Sequence, residues 1–183
     1  MPITINGSGT VTGLSVGGLP DGCVDSDTLA TSVTRGKILQ VKQATYATEL
    51  SVDSTSMVTS NLKVDITPSA TSSKILIMVD LANVRKNGHA ESYGELALYR
   101  NTSDTFSTSN QVLRFSNGFG YHTPSGTDTL DIGSSSATAL DSPSTTSQIW
   151  YTVGVRRIYA GGGYVKLHVN GATSTITAME IAA

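Results

Sequence analysis

The chain has 183 residues and a mass of 19.1 kDa, which accommodates one moderate domain and an arm. Only 14% of residues are charged, against about 25% in ordinary soluble domains, and the net charge is −2, so the sequence carries no basic footprint for nucleic acid or an anionic membrane. No apolar run approaches the ~20 residues of a membrane span, and residues 1–20 lack the positive n-region and long h-region of a signal peptide.

The first 35 residues form a leader too poor in apolar side chains to build a core. It opens MPITINGSGTVTGLSVGGLPDG, uncharged until Asp21, with glycine or a small hydroxyl residue at most positions. Ordering such a segment costs about 1–2 kcal/mol per residue, which its own side chains do not offset, so the leader is expected to dock on another copy or a partner. The residues available for docking are Ile3, Ile5, Val11, Leu14, Val16, Leu19 and Cys23. Thr4-Ile5 and Thr10-Val11-Thr12 read as short strands broken by glycines, and Gly17 to Gly22 as dense turn chemistry. Asp25, Ser26 and Asp27 offer N-caps for the one plausible helix, Thr28 to Val33, too short to stand unless packed. The stretch Gly7 to Gly13 has a glycine spacing one residue too long for a dinucleotide fingerprint, and no βαβ unit follows it.

After Gly36 the grammar changes to strand and loop. Ile38 to Val41 opens a head, and Leu62 to Ile66 alternates apolar and charged residues, the pattern of a strand with one wet face. Arg85-Lys86, with His89 nearby, reads as a solvated loop. Lys74 to Leu81 is apolar on both faces, which places it inside a sandwich or against a neighbouring subunit. Glu95 to Arg100 alternates again, and Gln111 to Phe115 and Thr129 to Ile132 follow polar loops. In the next strand Ile149, Tyr151, Val153 and Val155 share one face, while Gln148, Trp150, Thr152 and Arg156 share the other. Gly161 to Gly163 turns the chain into Val165, Leu167 and Val169; Asn170-Gly171 is a two-residue hairpin signal; and Thr175 to Ile181 closes the chain. Eight or more strands, with no helix longer than two turns, predict an all-β sandwich over residues 36–183.

Chemistry-bearing residues are sparse. A single cysteine excludes an internal disulfide and a cysteine-clustered zinc site. His89, His122 and His168 show no metal-ligand spacing and read as solvent-facing or loop histidines, no nucleophile elbow is present, and Asp80, Glu95 and Glu180 lie singly in strand patterns. No enzymatic activity, metal or cofactor is expected. The sequons at Asn6 and Asn101 read as chance matches without a secretory signal. For recognition the candidate is the loop Asn117 to Pro124, where Phe119, Tyr121 and His122 are spaced by glycine and offer rings and donors to a sugar or protein surface. Its alternative role is to cover the open end of the sandwich or to fill an interface.

Several dispersed segments carry a family likeness: the leader GSGTVTGLSVGGLPDGCVDSDTLA, the join Gly36-Lys37-Ile38-Leu39-Gln40-Val41, ITPSATSSKILIMV at 66–79, LALYR at 96–100 and STITAMEIA at 174–182. Together they resemble a class of bacteriophage fibre and virion-surface proteins common in phages of marine and freshwater bacteria. The resemblance implies a homotrimeric jelly roll of the tumour-necrosis-factor type with its last strand near the three-fold axis, displayed on the virion by the leader, which would bind other tail or capsid proteins. Host attachment through a surface glycan or protein is the expected role; a capsid decoration or tail adaptor protein and a carbohydrate-binding module are the alternatives. Candidate interface residues are Leu76, Met78, Trp150, Met179 and Ile181, since the two-sided strand and the last strand carry more apolar surface than one interior takes. In such a trimer Cys23 would be a docked small residue or meet its two copies, and a carboxylate or histidine at the axis would form a ready ion site.

Overall fold

Strand pairing in the head nests like a rolled-up hairpin. The computed structural model describes residues 4–5, 11–12, 38–89, 92–120, 129–159 and 161–182, and the chain divides into two units, Met1–Arg35 and Gly36–Ala183. In the first unit β1 (Thr4–Ile5) and β2 (Val11–Thr12) pair antiparallel, with Thr4 opposite Thr12 and Ile5 opposite Val11. The expected helix Thr28 to Val33 and the side chains of Ile3, Ile5, Val11, Leu14, Val16, Leu19 and Cys23 lie outside the described residues.

The second unit contains β3 (Ile38–Tyr46), β4 (Leu50–Val52), β5 (Val58–Ile66), β6 (Lys74–Asn87) and β7 (Gly94–Asn101). They are followed by β8 (Gln111–Phe119), β9 (Leu130–Asp141), β10 (Ile149–Arg157), β11 (Tyr164–Leu167) and β12 (Ser174–Ile181). β7 pairs with β8, β6 with β9, β5 with β10 and β3 with β12, all antiparallel. Alternate pairs of this nest fall into opposite sheets, β5-β10-β7-β8 and β3-β12-β6-β9, which is the winding of a jelly roll. β11 and β4 extend the second sheet beside the far half of β6. The second unit is therefore an all-β jelly-roll sandwich.

Alternation explains the layers. Ile75, Ile77, Val79 and Leu81 of β6 face Leu62, Val64 and Ile66 of β5 and the β10 row Ile149, Tyr151, Val153 and Val155 in one buried core. Burying each such side chain contributes about 1.5–3 kcal/mol. Two polar ties brace this core, one between the sheets and one between the second sheet and the β5–β6 connection. At one, Tyr151 Oη donates to Asp141 Oδ2 over 2.8 Å, and Arg100 Nη1 reaches the same oxygen at 2.6 Å. Burial, and then the hydrogen bond to the Asp141 carboxylate, push the Tyr151 phenol far above its ordinary pKa. At the other, Glu180 of β12, fully buried, accepts Gln40 Nε2 at 2.6 Å and both the Ser69 amide at 2.7 Å and its hydroxyl at 2.6 Å. Burial opposes ionisation there, but the bonds from Gln40 and Ser69 outweigh it and hold the carboxyl at about 2.

Several expectations are corrected. Gln111 to Phe115 continues as strand to Phe119, so Asn117, Gly118 and Phe119 belong to β8 rather than to a loop. Gly133 to Asp141, which begins with seven Gly, Ser, Thr and Ala residues, extends β9 to twelve residues, because the small side chains of Ala137 and Ala139 fit against the core opposite Val79 and Ile77. Arg85-Lys86 is strand rather than solvated loop, and Lys86 is fully buried. β7 has no wet face: Glu95, Ala97 and Tyr99 point away from the core yet are buried. Asn170-Gly171 does take the left-handed φ of 59° and 72° that its turn chemistry favours. It closes a 3₁₀ turn, however, and not a hairpin, because β11 and β12 lie in line along β6, opposite Arg85–Asn87 and Lys74–Asp80, and not against each other.

Candidate functional site: two outer faces of the sandwich

The outer face of β3-β12-β6-β9 carries an apolar row. Strand register places Val41 beside Met179, Met179 beside Leu76 and Leu76 beside Leu140, one residue from each of four adjacent strands. The two ends of the row are open, Val41 being 53% and Leu140 55% exposed. The next row, Gln43, Thr177, Met78 and Thr138, is polar apart from Met78, which is also exposed. Ile181, opposite both Lys74 and Ile38, extends the apolar surface toward the strand ends, where Ile38 is exposed too. Of the interface candidates, Leu76, Met78, Met179 and Ile181 thus share one face. Trp150 does not join them: it pairs with Asp65 and Asn101 on the opposite sheet. Leu140 and Val41, which complete the row, escaped the sequence reading because the strand expected at Thr129 to Ile132 stops short of Leu140 and β3 shows no clean alternation.

Of the recognition candidates, Phe119 packs on the core, its ring over Gly94, where an added Cβ would lie 2.0 Å from Phe119 Cζ. Tyr121 and His122 lie outside the described residues.

On the outer face of β5-β10-β7-β8, Glu95 is 1% exposed at its side chain and sits between two arginines. Its Oε1 accepts Arg114 Nε at 2.9 Å, and its Oε2 accepts Arg156 Nε at 2.9 Å and Nη2 at 2.6 Å. Tyr99, Met57 and Phe106 close over Gly154 beside it; a Cβ at 154 would come within 3.0 Å of all three, so the wall stacks directly on backbone. Phe106 meets Tyr99 edge to face with ring centroids 5.5 Å apart. A hollow of about 380 Å³ lies over the Glu95 pair. The burial of the outer side of β7 comes from this cover, which periodicity does not reveal.

His168 is not solvent-facing. It is fully buried in the left-handed region (φ 56°), with Nδ1 2.7 Å from Ser174 Oγ. The Ala82 amide donates to that same oxygen at 2.8 Å, so the Ser174 hydroxyl hydrogen is free to point at Nδ1. Nε2 faces the Ser60 carbonyl at 3.4 Å. Burial lowers the histidine pKa and keeps the ring neutral. Among the described residues no carboxylate bonds the ring, and Ser174 and Ser60 are both fully buried, so the pair ties the β11–β12 turn to the core. Among the described residues no group of three or more His, Cys, Asp or Glu converges as a metal site.

No protein-family profile and no curated protein matches the chain. Among solved structures it is similar to the crystal structure of the infectious bursal disease virus VP2 subviral particle, with 14% identity and a TM-score of 0.34 over 80% of this chain. The chain spans 38% of the length of that one.

Proposed function

We propose that the chain is a structural protein of a bacteriophage particle: a short trimeric fibre whose arm docks on tail or capsid proteins and whose head takes part in attachment to a host-surface glycan or protein. The observation that carries this reading is the row Val41-Met179-Leu76-Leu140, an apolar band across the outside of a sheet whose inside is already the core. Exposed contiguous apolar surface on a sheet face marks an association site. Second and third copies of the chain are the fitting occupants, because the band and the adjacent row of Gln43, Thr177, Met78 and Thr138 hold no charge, so identical faces meet without repulsion. The sequence resemblance supplies the number three and the particle. Three heads on one stem can raise the avidity of a weak site by about 10²–10⁴.

The arm is tested by deleting residues 1–34 and following both head stability and incorporation into particles. The reading expects a folded, self-associated head that no longer enters the particle. Normal incorporation of the truncated protein would refute the role of the arm, and imaging of intact particles separates a tail location from a capsid decoration.

A further inference from the structure

Burial of Glu95 needs one cation, and the structure supplies two. Arg114 and Arg156 both reach the single carboxylate, so one positive charge is left at the floor of the hollow, with the two side chains 46% and 34% exposed. Ionised Glu95 balances one guanidinium, so the second keeps its charge beside the hollow with N–H donors to spare. Each guanidinium carries five N–H donors. Glu95 engages one of Arg114 and two of Arg156. The bonds to Glu95 fix the guanidinium planes in advance, which lowers the entropy cost of holding a ligand.

The rest of the hollow is suited to a hydroxylated molecule. Ser56 and Thr108 line it with hydroxyls and Gln111 with an amide, and Tyr99, whose Oη lies 3.3 Å from Gln111 Oε1, forms part of the wall. Its volume of about 380 Å³ falls in the range of small-ligand pockets, roughly 300–1,000 Å³. It opens on the sheet opposite the apolar row, so self-association through that row leaves it accessible.

We propose that this hollow binds a sugar bearing a carboxylate, a hexuronic acid unit of a surface glycan, with the carboxylate on Arg114 and Arg156 and the ring hydroxyls on Ser56, Thr108 and Gln111. A carboxylate takes the guanidinium fork through two oxygens, and the ring hydroxyls, which inorganic phosphate lacks, meet the hydroxyl and amide lining of the hollow. The biological source of the sugar rests on the attachment reading above; the binding itself does not.

The test titrates the full-length protein with D-glucuronic acid, D-glucose and inorganic phosphate, following backbone amide shifts by NMR. Saturable shifts at Arg114, Arg156 and Gln111 are expected with glucuronic acid, with glucose at least tenfold weaker and phosphate unable to compete at equal concentration. Arg114→Gln should weaken binding at least tenfold. Because that change also disturbs Glu95, Ser56→Trp provides a second variant: Ser56 is exposed and its hydrogen bonds to Ser54 use its backbone, so the fold is kept while the ring fills the hollow. Absence of saturation by glucuronic acid, equal binding of glucose, equal competition by phosphate, or undiminished binding in a folded Ser56→Trp protein would each overturn the site. Adsorption of particles carrying Ser56→Trp separates the two readings. Binding that is lost in the variant while adsorption is unchanged keeps the site and removes its role in attachment; adsorption by a wild type that binds no glucuronic acid does the reverse.

Discussion

Replacing Glu180 with Gln removes a charge that the fold has built three bonds around. The side chain is fully buried at one end of the sandwich, and the segment it holds, at Ser69, leads from β5 in one sheet to β6 in the other. In Glu180→Gln one side-chain oxygen still accepts from Ser69, but the new amide group faces Gln40 Nε2, itself a donor. Gln40 relieves the clash only by flipping, which breaks its 2.6 Å bond to the Thr67 carbonyl. A hydrogen bond to a charged group contributes about 1.5–3 kcal/mol, and the cost of burying the carboxylate's charge offsets part of it, so the expected loss is about 1–2 kcal/mol at pH 7. The pH dependence follows from the lowered carboxyl pKa. Because the folded value, about 2, lies below the ordinary 4.5, the stabilisation is fully present above about pH 4.5 and is lost as pH falls toward 2. Urea denaturation of wild type and variant at one fixed protein concentration, at pH 7 and again at pH 3, should show a gap that narrows in acid. An equal gap at both pH values, or none at pH 7, would refute the argument that ionised Glu180 fastens this end of the head.

Tyr151→Phe deletes the 2.8 Å bond between the sheets and leaves Asp141 with Arg100, so a loss of about 1–2 kcal/mol is expected in the same assay, and an unchanged midpoint would contradict it. Gly94→Ala drives a methyl into the Phe119 ring and should cost about 1–3 kcal/mol. Combined with Phe119→Ala it should cost less than the sum of the two single changes, whereas strict additivity would show that the ring does not rest on Gly94.

The parts of the fold legible in the sequence are those where period and environment agree. The β10 row and the inward half of the double-sided apolar run of β6 announce a buried face, and the structure places both in the core, while the outward half of β6 lies on the open face that carries the apolar row. Only the start of β9 was legible, for a physical reason: opposite large residues such as Val79 and Ile77 its inward positions are Ala137 and Ala139, so its second half carries little hydrophobic signal. The Glu95 site was half legible. Arg156 was set on the outward face of its strand, but Arg114 meets it only through the pairing of β8 with β7 and of β7 with β10, which local sequence does not encode. His168 shows the same limit in reverse. It looks like a turn residue, and it is one, yet the turn folds its ring inward against Ser174.

The central claim is that the apolar row is an interface between copies of this chain, and the direct measurement is the mass of the particle-free protein in solution. Sedimentation equilibrium of the wild type at micromolar concentration should give about three times the 19.1 kDa chain mass, and Val41→Asp with Leu140→Asp, both at exposed ends of the row, should give the monomer with the head still folded. A folded wild-type monomer, or a trimer that survives both charges, would contradict the account.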